Sequence, residues 1–220
     1  MIRLLLGDDH RIVREGLKQI LADAPDLCVV REAQSGTEVL EQVRQLQGST
    51  GLDLVLLDIA MPGSDGLEVL QTLRREYPSL PVLMLSTYPE KQYAVRCIKL
   101  GAGGYLNKSA GPDDMVAAVR KVAAGGMFVT PATAEALATA MGASATGTGA
   151  ASLDALSHRE YQVFRLLTAG QTVGQIGAQL KLAPNTVSTY RARILEKTGA
   201  KNDVELALMA ERHSHNSQTR

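Results

Sequence analysis

The first half of this chain repeats one pattern five times: a short apolar run sized for a buried strand, then a stretch with helical spacing. The runs fall near residues 2–7, 28–33, 53–58, 81–86 and 103–106. After them come Ile12, Leu17, Ile20 and Leu21; then Val39, Leu40, Val43 and Leu46; then Leu67, Leu70 and Leu73. A fourth set is Ala94, Val95, Ile98 and Leu100, and a fifth Met115, Val116, Val119 and Val122. Apolar residues three and four apart mark one face of a helix, and short apolar runs between turn signals mark buried strands. Five such units predict an α/β fold, a doubly wound five-stranded parallel sheet with helices on both faces.

The ends of these strands carry the chemistry. Leu4-Leu5-Leu6-Gly7 delivers the acid pair Asp8 and Asp9, and Leu54-Val55-Leu56-Leu57 ends on Asp58. Val82-Leu83-Met84-Leu85 ends on the hydroxyl of Ser86, and the short run at Tyr105-Leu106-Asn107 ends on Lys108. Side chains at the carboxyl ends of an open parallel sheet converge on one crevice, where ligands bind. Phosphorylating an aspartate there needs an acceptor, a divalent cation on the phosphate oxygens and a fixed positive charge for the remainder. Mg2+ (or Mn2+) binds such sites through one or two carboxylates, phosphate and waters. Asp9 and Asp58 can bind it directly, Asp8 through water, and the backbone carbonyl of Ala60 adds a further ligand. Lys108 is a compact cation on a flexible stem, suited to phosphate, and Ser86 can bond a phosphoryl oxygen. Taken singly, the acid pair reads as a cap for the next helix, Pro62 and Gly66 as a turn, and Lys108 as a solvated lysine. Together, at successive strand ends, they read as a phosphoryl acceptor.

Two segments then carry a family resemblance. Leu56-Leu57-Asp58-Ile59-Ala60-Met61-Pro62-Gly63-Ser64-Asp65-Gly66 and Gly101-Ala102-Gly103-Gly104-Tyr105-Leu106-Asn107-Lys108 resemble the signature segments of two-component receiver domains, over about the first 125 residues. The resemblance implies a flavodoxin-like fold, with Asp58 as phosphoacceptor and Asp8 and Asp9 in the acidic pocket. It also implies that Ser86 and Tyr105 are the switch hydroxyl and rotating aromatic, and that Lys108 is the characteristic lysine. Phosphate would draw Ser86 inward and let Tyr105 bury, remodelling the face around residues 87–110. Two residues beyond Asp58 stands Ala60, and two beyond Ser86 stands Tyr88. Neither orients a water readily, which predicts slow loss of the phosphoryl group.

At 220 residues the chain has room for two modest domains, and its 45% hydrophobic and 21% charged content suits globular material. No apolar run reaches membrane-spanning length, so no membrane partner is expected. The chain enters its first strand at Ile2-Arg3-Leu4 without a charged-then-apolar leader, which predicts a cytoplasmic protein. Cys28 and Cys97 lack metal or redox spacing and read as small buried hydrophobes. Residues 1–151 carry 14 bases and 17 acids, residues 152–220 carry 9 and 6. A mildly acidic front and a mildly basic tail fit a switch joined to a polyanion binder. The expected organisation is a phosphoacceptor domain over 1–125, a linker over 126–152 and a DNA-binding domain over 153–220. A short Ala-rich helix is expected over 131–141. Residues 142–152 lack apolar period and read as a tether spanning roughly 18 Å.

Beyond residue 152 the pattern is purely helical, with Ser157 and Thr172 as candidate caps and Gly170 and Gly199 as stops. Val173, Ile176 and Leu180 make one stripe. A break at Lys181-Leu182-Ala183 precedes Pro184 and a second helix, with Val187, Ile194 and Thr198 on one side and Tyr190 and Leu195 at its edges. The other side carries Ser188, Thr189, Ala192, Arg193 and Glu196. A helix after a tight break, with short polar side chains near its start, suits a major-groove reader. Arg191, Arg193 and Lys197, with Thr172 at a helix start, suit phosphates. Leu156-Ser157-His158-Arg159-Glu160, Ile176-Gly177-Ala178-Gln179-Leu180 and Asn185-Thr186-Val187-Ser188-Thr189-Tyr190 resemble the LuxR-type helix-turn-helix over about 153–212. With the front domain, the chain resembles a NarL/FixJ-family response regulator, which places Thr186 among the DNA-binding residues. Ala183 stands where that family usually has a serine cap, Ser188 where lysine is frequent, and Gly177 where alanine is usual. Val204, Leu206, Ala207, Leu208 and Ala210 offer an apolar strip, which packs on its own bundle or, as the resemblance implies, pairs two DNA-binding domains.

The function expected is phosphorylation-controlled transcription regulation rather than enzymatic turnover. A sensor histidine kinase is the expected donor, and double-stranded promoter DNA the target. The protein is expected to act as a homodimer when phosphorylated, with RNA polymerase as a further partner. Two other classes compete: a phosphorylation-independent regulator, and a flavodoxin-like enzyme. The second would need a Gly-rich phosphate loop after the first strand, where this chain has the acidic Gly7-Asp8-Asp9-His10.

Overall fold

The structure, a computed structural model, describes residues 1–47, 51–62, 65–88, 90–131, 133–135, 137–138, 153 and 156–215. Contacts divide the chain into two units, Met1–Glu135 and Ala136–Arg220. The first holds β1 (Ile2–Gly7), α1 (Arg11–Ala22), β2 (Leu27–Ala33), α2 (Gly36–Gln47) and β3 (Leu54–Asp58). It continues with α3 (Gly66–Glu76), β4 (Val82–Ser86), α4 (Glu90–Lys99), β5 (Gly104–Asn107) and α5 (Pro112–Ala123). All strand pairs are parallel and run in the order β2-β1-β3-β4-β5. The order reverses between β1 and β3, so the crevice of the doubly wound sheet opens beyond Gly7 and Asp58.

Every residue of β3 and β4 is buried, as a strand covered on both faces requires. Leu4, Leu6, Leu54, Leu56, Leu83, Leu85 and Leu106 pack on one face with Leu17 and Leu21 of α1 and Met115, Ala118, Val119 and Val122 of α5. The alternate residues face the other way. A Cβ on Gly7 would lie 2.7 Å from Val39 of α2, so the end of β1 approaches that helix too closely for a side chain.

The first unit runs past the end of α5. Phe128 bridges Gly104 at the outer edge of β5, donating its N–H to the Gly103 carbonyl at 2.9 Å and accepting from Tyr105 N at 3.3 Å. Covering an edge strand removes a row of unpaired backbone groups. Thr130 and Thr133 each donate a hydroxyl to Glu90 Oε1 at 2.6 Å, tying this segment to the first turn of α4. The helix expected over 131–141 is helical at residues 131, 133–135, 137 and 138. Its other positions, Gly63 and Ser64 of the turn after β3, and the tether expected over 142–152 lie outside the described residues.

The second unit comprises α6 (His158–Thr168), α7 (Val173–Leu180), α8 (Pro184–Thr198) and α9 (Asp203–His215). Its core joins Val163, Phe164, Leu167, Ile176, Val187, Ile194 and Leu206. Ser157 and Thr172 open α6 and α7 with complete capping boxes, closed by Glu160 and Gln175. Between α7 and α8, Lys181 adopts the left-handed conformation (φ 55°), and Leu182 N bonds the Gly177 carbonyl at 2.8 Å. A Cβ on Gly177 would meet the Leu182 carbonyl at 2.8 Å, so glycine lets this turn close tightly. Among the described residues no helix is long and apolar enough to cross a membrane.

Removing the acceptor of the Thr130–Thr133 strap should be felt in stability. Glu90→Ala leaves the buried Thr133 hydroxyl without its partner, at a cost of about 1–3 kcal/mol. Urea unfolding should show that loss, and amide exchange should quicken across residues 128–135. An unchanged midpoint and unchanged exchange would show that the strap contributes nothing.

Candidate functional site

The site forms where β1, β3, β4 and β5 end. Lys108 Nζ lies 2.6 Å from Asp8 Oδ2 and 2.8 Å from Asp58 Oδ2. Asp8 and Asp58 are 0% and 2% exposed, and the Lys108 side chain 8%. One buried ammonium therefore serves two buried carboxylates. Burial, the largest influence on Asp58, raises its carboxyl above the ordinary range; Lys108 and the Ala60 N–H oppose this, and Asp8 reinforces it. Burial acts to lower Lys108, but Asp58 and Asp8 outweigh it and leave the ammonium above its usual value.

The backbone fixes this cluster. Lys108 N donates to the Ser86 carbonyl at 2.9 Å, locking the end of β5 to the end of β4. Gly66 N donates to the Ile59 carbonyl at 2.9 Å, and a Cβ at Gly66 would overlap the Asp58 carbonyl at 2.0 Å. Only glycine fits where α3 folds back onto the strand end. Asp65 then caps α3, accepting from Leu67 N at 2.9 Å and Glu68 N at 3.0 Å.

Asp9 is half-buried beside the pair, and His10 Nδ1 lies 2.7 Å from Asp9 Oδ1. Asp8 Oδ1 accepts the His10 N–H at 2.8 Å, yet α1 begins from His10 without a side-chain cap. The acid pair is thus turned to the crevice rather than to capping α1. Ligand atoms from Asp8, Asp9, His10 and Asp58 all lie within 4.8 Å of one another. Asp8 Oδ2, Asp9 Oδ1 and Asp58 Oδ2 are buried without a hydrogen bond of regular geometry, Asp8 and Asp58 facing the Lys108 ammonium and Asp9 the His10 ring. Clustered anionic oxygens with unused lone pairs fit a hard divalent cation such as Mg2+.

Ser86 is fully buried, and its hydroxyl accepts the Tyr88 N–H at 3.1 Å. Tyr105 is buried as well, donating its hydroxyl to the Tyr88 carbonyl at 2.7 Å, and Asn107 Nδ2 donates to that carbonyl at 3.2 Å. Burial raises the Tyr105 phenol above its usual value, against a hydrogen bond with Ser86. Ser86, Tyr88 and Tyr105 are thus one connected unit. The Tyr88 ring packs on Tyr93 with centroids 5.0 Å apart.

Sequence reasoning missed a supporting group. Arg14 is buried in α1, donating Nη1 to the Asp8 carbonyl at 2.7 Å and Nε to Glu32 at 3.1 Å. Lys18 adds a 2.7 Å bond to Glu32, and Lys18 first, then Arg14, hold that carboxyl below its ordinary range against burial. The signal was present: Arg14 shares the buried face of α1 with Leu17 and Leu21, and a charged residue on an apolar stripe needs a partner.

In the second unit Thr186, Ser188, Thr189, Ala192 and Arg193 of α8 are exposed, while Val187, Ile194 and Thr198 are buried. Asn185, Thr186, Thr189, Tyr190 and Arg193 line a shallow depression. Ala183 provides no side-chain cap for α8, forfeiting about 1 kcal/mol that a serine would give. Arg191 Nε bonds Asp203 at 2.8 Å, and Lys197 Nζ bonds the buried Glu160 at 2.6 Å. Two of the three cations expected at phosphates are therefore tied to α9 and α6. Arg193 makes no ion pair among the described residues. The Thr172 hydroxyl is engaged with Gln175 in its capping box. On α9, Leu206 is buried while Val204 and Leu208 are 69% and 48% exposed.

The shared lysine sets opposite signs for two substitutions. Lys108→Met leaves two buried carboxylates uncompensated and should cost about 3–5 kcal/mol at pH 7. Asp58→Asn should instead raise the melting temperature there, because a raised folded pKa means the ionised form burdens the fold. That gain should fade as pH falls below about 4, where aspartate is protonated folded or unfolded. Thermal melts across pH check both; a destabilising Asp58→Asn would refute the assignment of strain to the acid.

Comparison with known proteins agrees with this geometry. The family model for the response regulator receiver domain matches residues 4–120, and that for bacterial regulatory proteins of the luxR family matches 154–210. The response regulator GacA of Pseudomonas viridiflava is 41% identical over 213 residues, covering 97% of each chain. UvrY of Escherichia coli K12 is 36% identical, covering 97% of this chain and 95% of the other. The solved structure of the RcsB response regulator of Salmonella typhimurium shares the fold, with a TM-score of 0.57 at 24% identity, over 96% of this chain and 98% of that one. The acid-and-lysine cluster at the carboxyl end of the first unit's sheet and the helix-turn-helix of the second unit are thus those of a NarL/FixJ-family two-component response regulator, a phosphorylation-controlled transcription regulator with a LuxR-type DNA-binding domain, and the chain belongs to that family.

Proposed function

We propose that Asp58 accepts the phosphoryl group, and the observation that carries this is its place opposite Lys108 in the acidic crevice. A histidine kinase is the donor: the phosphorus–nitrogen bond breaks, a phosphorus–oxygen bond forms at an Asp58 oxygen, and the imidazole leaves. Asp8, Asp9, Asp58 and the Ala60 carbonyl hold Mg2+ or Mn2+, which neutralises phosphate oxygens when bound. Lys108 already spans Asp8 and Asp58, so the incoming charge meets a cation whose position needs no reorganisation. Ser86 supplies a hydroxyl to the phosphoryl oxygens. That contact competes with the bonds joining Ser86 to Tyr88 and Tyr105, and this carries the change to the α4 face. The receiver occupies 1–125 with its strap behind it, the linker runs to 152, and the DNA-binding domain takes 153–220.

The second unit reads promoter DNA with α8. Short side chains at Thr186, Ser188, Thr189 and Ala192 bring the helix backbone close to base edges, where a threonine or alanine methyl can meet a thymine methyl. Arg193 is the foremost phosphate contact, with Thr172 flanking it, and Arg191 and Lys197 contribute through their shared ion pairs. Exposed Val204 and Leu208 supply a face for a second copy, so phosphorylation favours a homodimer on paired half-sites, with RNA polymerase recruited beside it. A protein acting on chromosomal promoters works in the cytoplasm, and its phosphotransfer turns over no metabolite.

Acetyl phosphate with Mg2+ should label the chain, and Asp58→Ala should abolish the label. Persisting label at another residue would overturn the assignment. Ala60→Asn and Tyr88→Glu should each shorten the aspartyl-phosphate lifetime by admitting or orienting water; unchanged lifetimes in both would remove the case for a slow switch. On DNA, Arg193→Ala should weaken all sequences alike and lower the log K against log salt slope by about 1. Selective loss at one base position would instead make Arg193 a base reader.

A further inference from the structure

Arg14 shares the buried face of α1 with Leu17 and Leu21 and is 6% exposed. A guanidinium in such a place needs a counter-charge. Its Nε meets Glu32 of β2 at 3.1 Å, and Lys18 bonds the same carboxylate at 2.7 Å and Glu15 at 2.9 Å. Two cations and two carboxylates thus balance within this group. The second arm of the Arg14 fork goes elsewhere: Nη1 donates to the Asp8 backbone carbonyl at 2.7 Å.

That carbonyl belongs to the peptide joining two acids of the crevice. Asp8 lies one residue past the end of β1, where its N–H is held by the Ala33 carbonyl of β2 at 3.0 Å. Ala33 and Glu32 are neighbours on β2, so both holds on the Asp8 backbone run back to one strand. A peptide is planar, so fixing the Asp8 carbonyl fixes the plane from which Asp9 leaves. The Asp8 side chain is then free to serve Lys108 through Oδ2 and the His10 N–H through Oδ1.

We propose that Arg14 is a positioning residue of the cation site, holding the Asp8–Asp9 peptide so that both carboxylates present their oxygens to one divalent ion. This rests on the reading of Asp8, Asp9 and Asp58 as that site. Groups that orient a metal's ligands govern its affinity although they never touch it. The role needs arginine rather than lysine. A planar fork reaches Glu32 and the Asp8 carbonyl together, whereas a lysine ammonium settles on the carboxylate, the stronger acceptor, and leaves the carbonyl.

Mg2+ is the probe, titrated by calorimetry into the full chain and into Arg14→Lys, Arg14→Met and Leu17→Ala. Arg14→Lys keeps the pair with Glu32 and should melt close to the wild type, yet bind Mg2+ about 10-fold more weakly. Arg14→Met removes charge and donor together and should weaken Mg2+ at least as much. Leu17→Ala opens a cavity on the same face of α1 without touching the Asp8 carbonyl. It should melt lower and bind Mg2+ like the wild type. With acetyl phosphate, the Mg2+ concentration giving half the labelling rate should rise about 10-fold in Arg14→Lys. The rate at saturating Mg2+ should hold, because Asp58 and Lys108 are untouched. Wild-type Mg2+ affinity in either Arg14 variant overturns the role. So does a loss in Leu17→Ala as large as that in Arg14→Lys, which would make affinity a reflection of stability alone. If the wild-type chain binds no Mg2+, the cation site itself falls, and this inference with it.

Discussion

The ammonium of Lys108 between Asp8 and Asp58 is the interaction on which the rest of the first unit is arranged. Two carboxylates this close and this buried repel unless a cation lies between them. A single lysine cannot satisfy both, and burial first, with Asp8 reinforcing it, raises the Asp58 carboxyl against the pull of Lys108. The fold tolerates that shortfall because its cost is local and its frame is over-determined. Hydrophobic burial on both faces of β3 and β4 supplies the stability, and the strand-end hydrogen bonds leave the charged groups nowhere to relax. A site that is under-neutralised at rest is one that welcomes further positive charge, which is what a metal-assisted anion acceptor requires.

The same constraint shapes the path outward. Ser86 lies one step beyond the residue paired with Asp58, and its hydroxyl is already committed to the Tyr88 N–H and the Tyr105 phenol. Tyr105 in turn holds the Tyr88 carbonyl through its hydroxyl and the Phe128 carbonyl through its amide. Phe128 begins the segment that Thr130 and Thr133 strap to Glu90. A change in what Ser86 bonds therefore has a continuous set of hydrogen bonds to act upon, from the crevice to the chain leaving the sheet. Every link is a discrete bond that is either made or broken, and such links support two-state behaviour better than graded deformation.

Much of this was legible in the sequence because it is local. Strand and helix periods are written residue by residue, and strand ends in a parallel sheet converge whatever the details, so Asp8, Asp58, Ser86 and Lys108 come together from the sequence pattern alone. Capping at Ser157 and Thr172 is likewise a matter of three residues. What escaped is non-local. Arg14 meets Glu32 across the α1–β2 step, Glu90 meets Thr133 across 43 positions, and Lys197 meets Glu160 across 37. No periodicity encodes such pairs. The sequence also cannot say that Tyr105 sits buried against Tyr88, since an aromatic at that strand position is compatible with either placement.

The ion pairs of the second unit change how its recognition should be understood. A helix carrying Arg191, Arg193 and Lys197 reads in sequence as a cationic surface. In the fold Arg191 and Lys197 neutralise Asp203 and Glu160, so their first duty is to hold α8 against α9 and α6. Each exposed pair adds little to stability, but the Glu160 carboxylate is buried and also closes the capping box of α6, so that contact fixes the angle at which α8 leaves the bundle. Positioning is thereby favoured over raw attraction. On the proposed reading, in which α8 meets DNA, modest charge and short side chains give a single domain little grip, and close backbone approach at two half-sites supplies the specificity. The weak reader is then an advantage for a switch: affinity that depends on pairing two copies responds steeply to whatever controls the pairing.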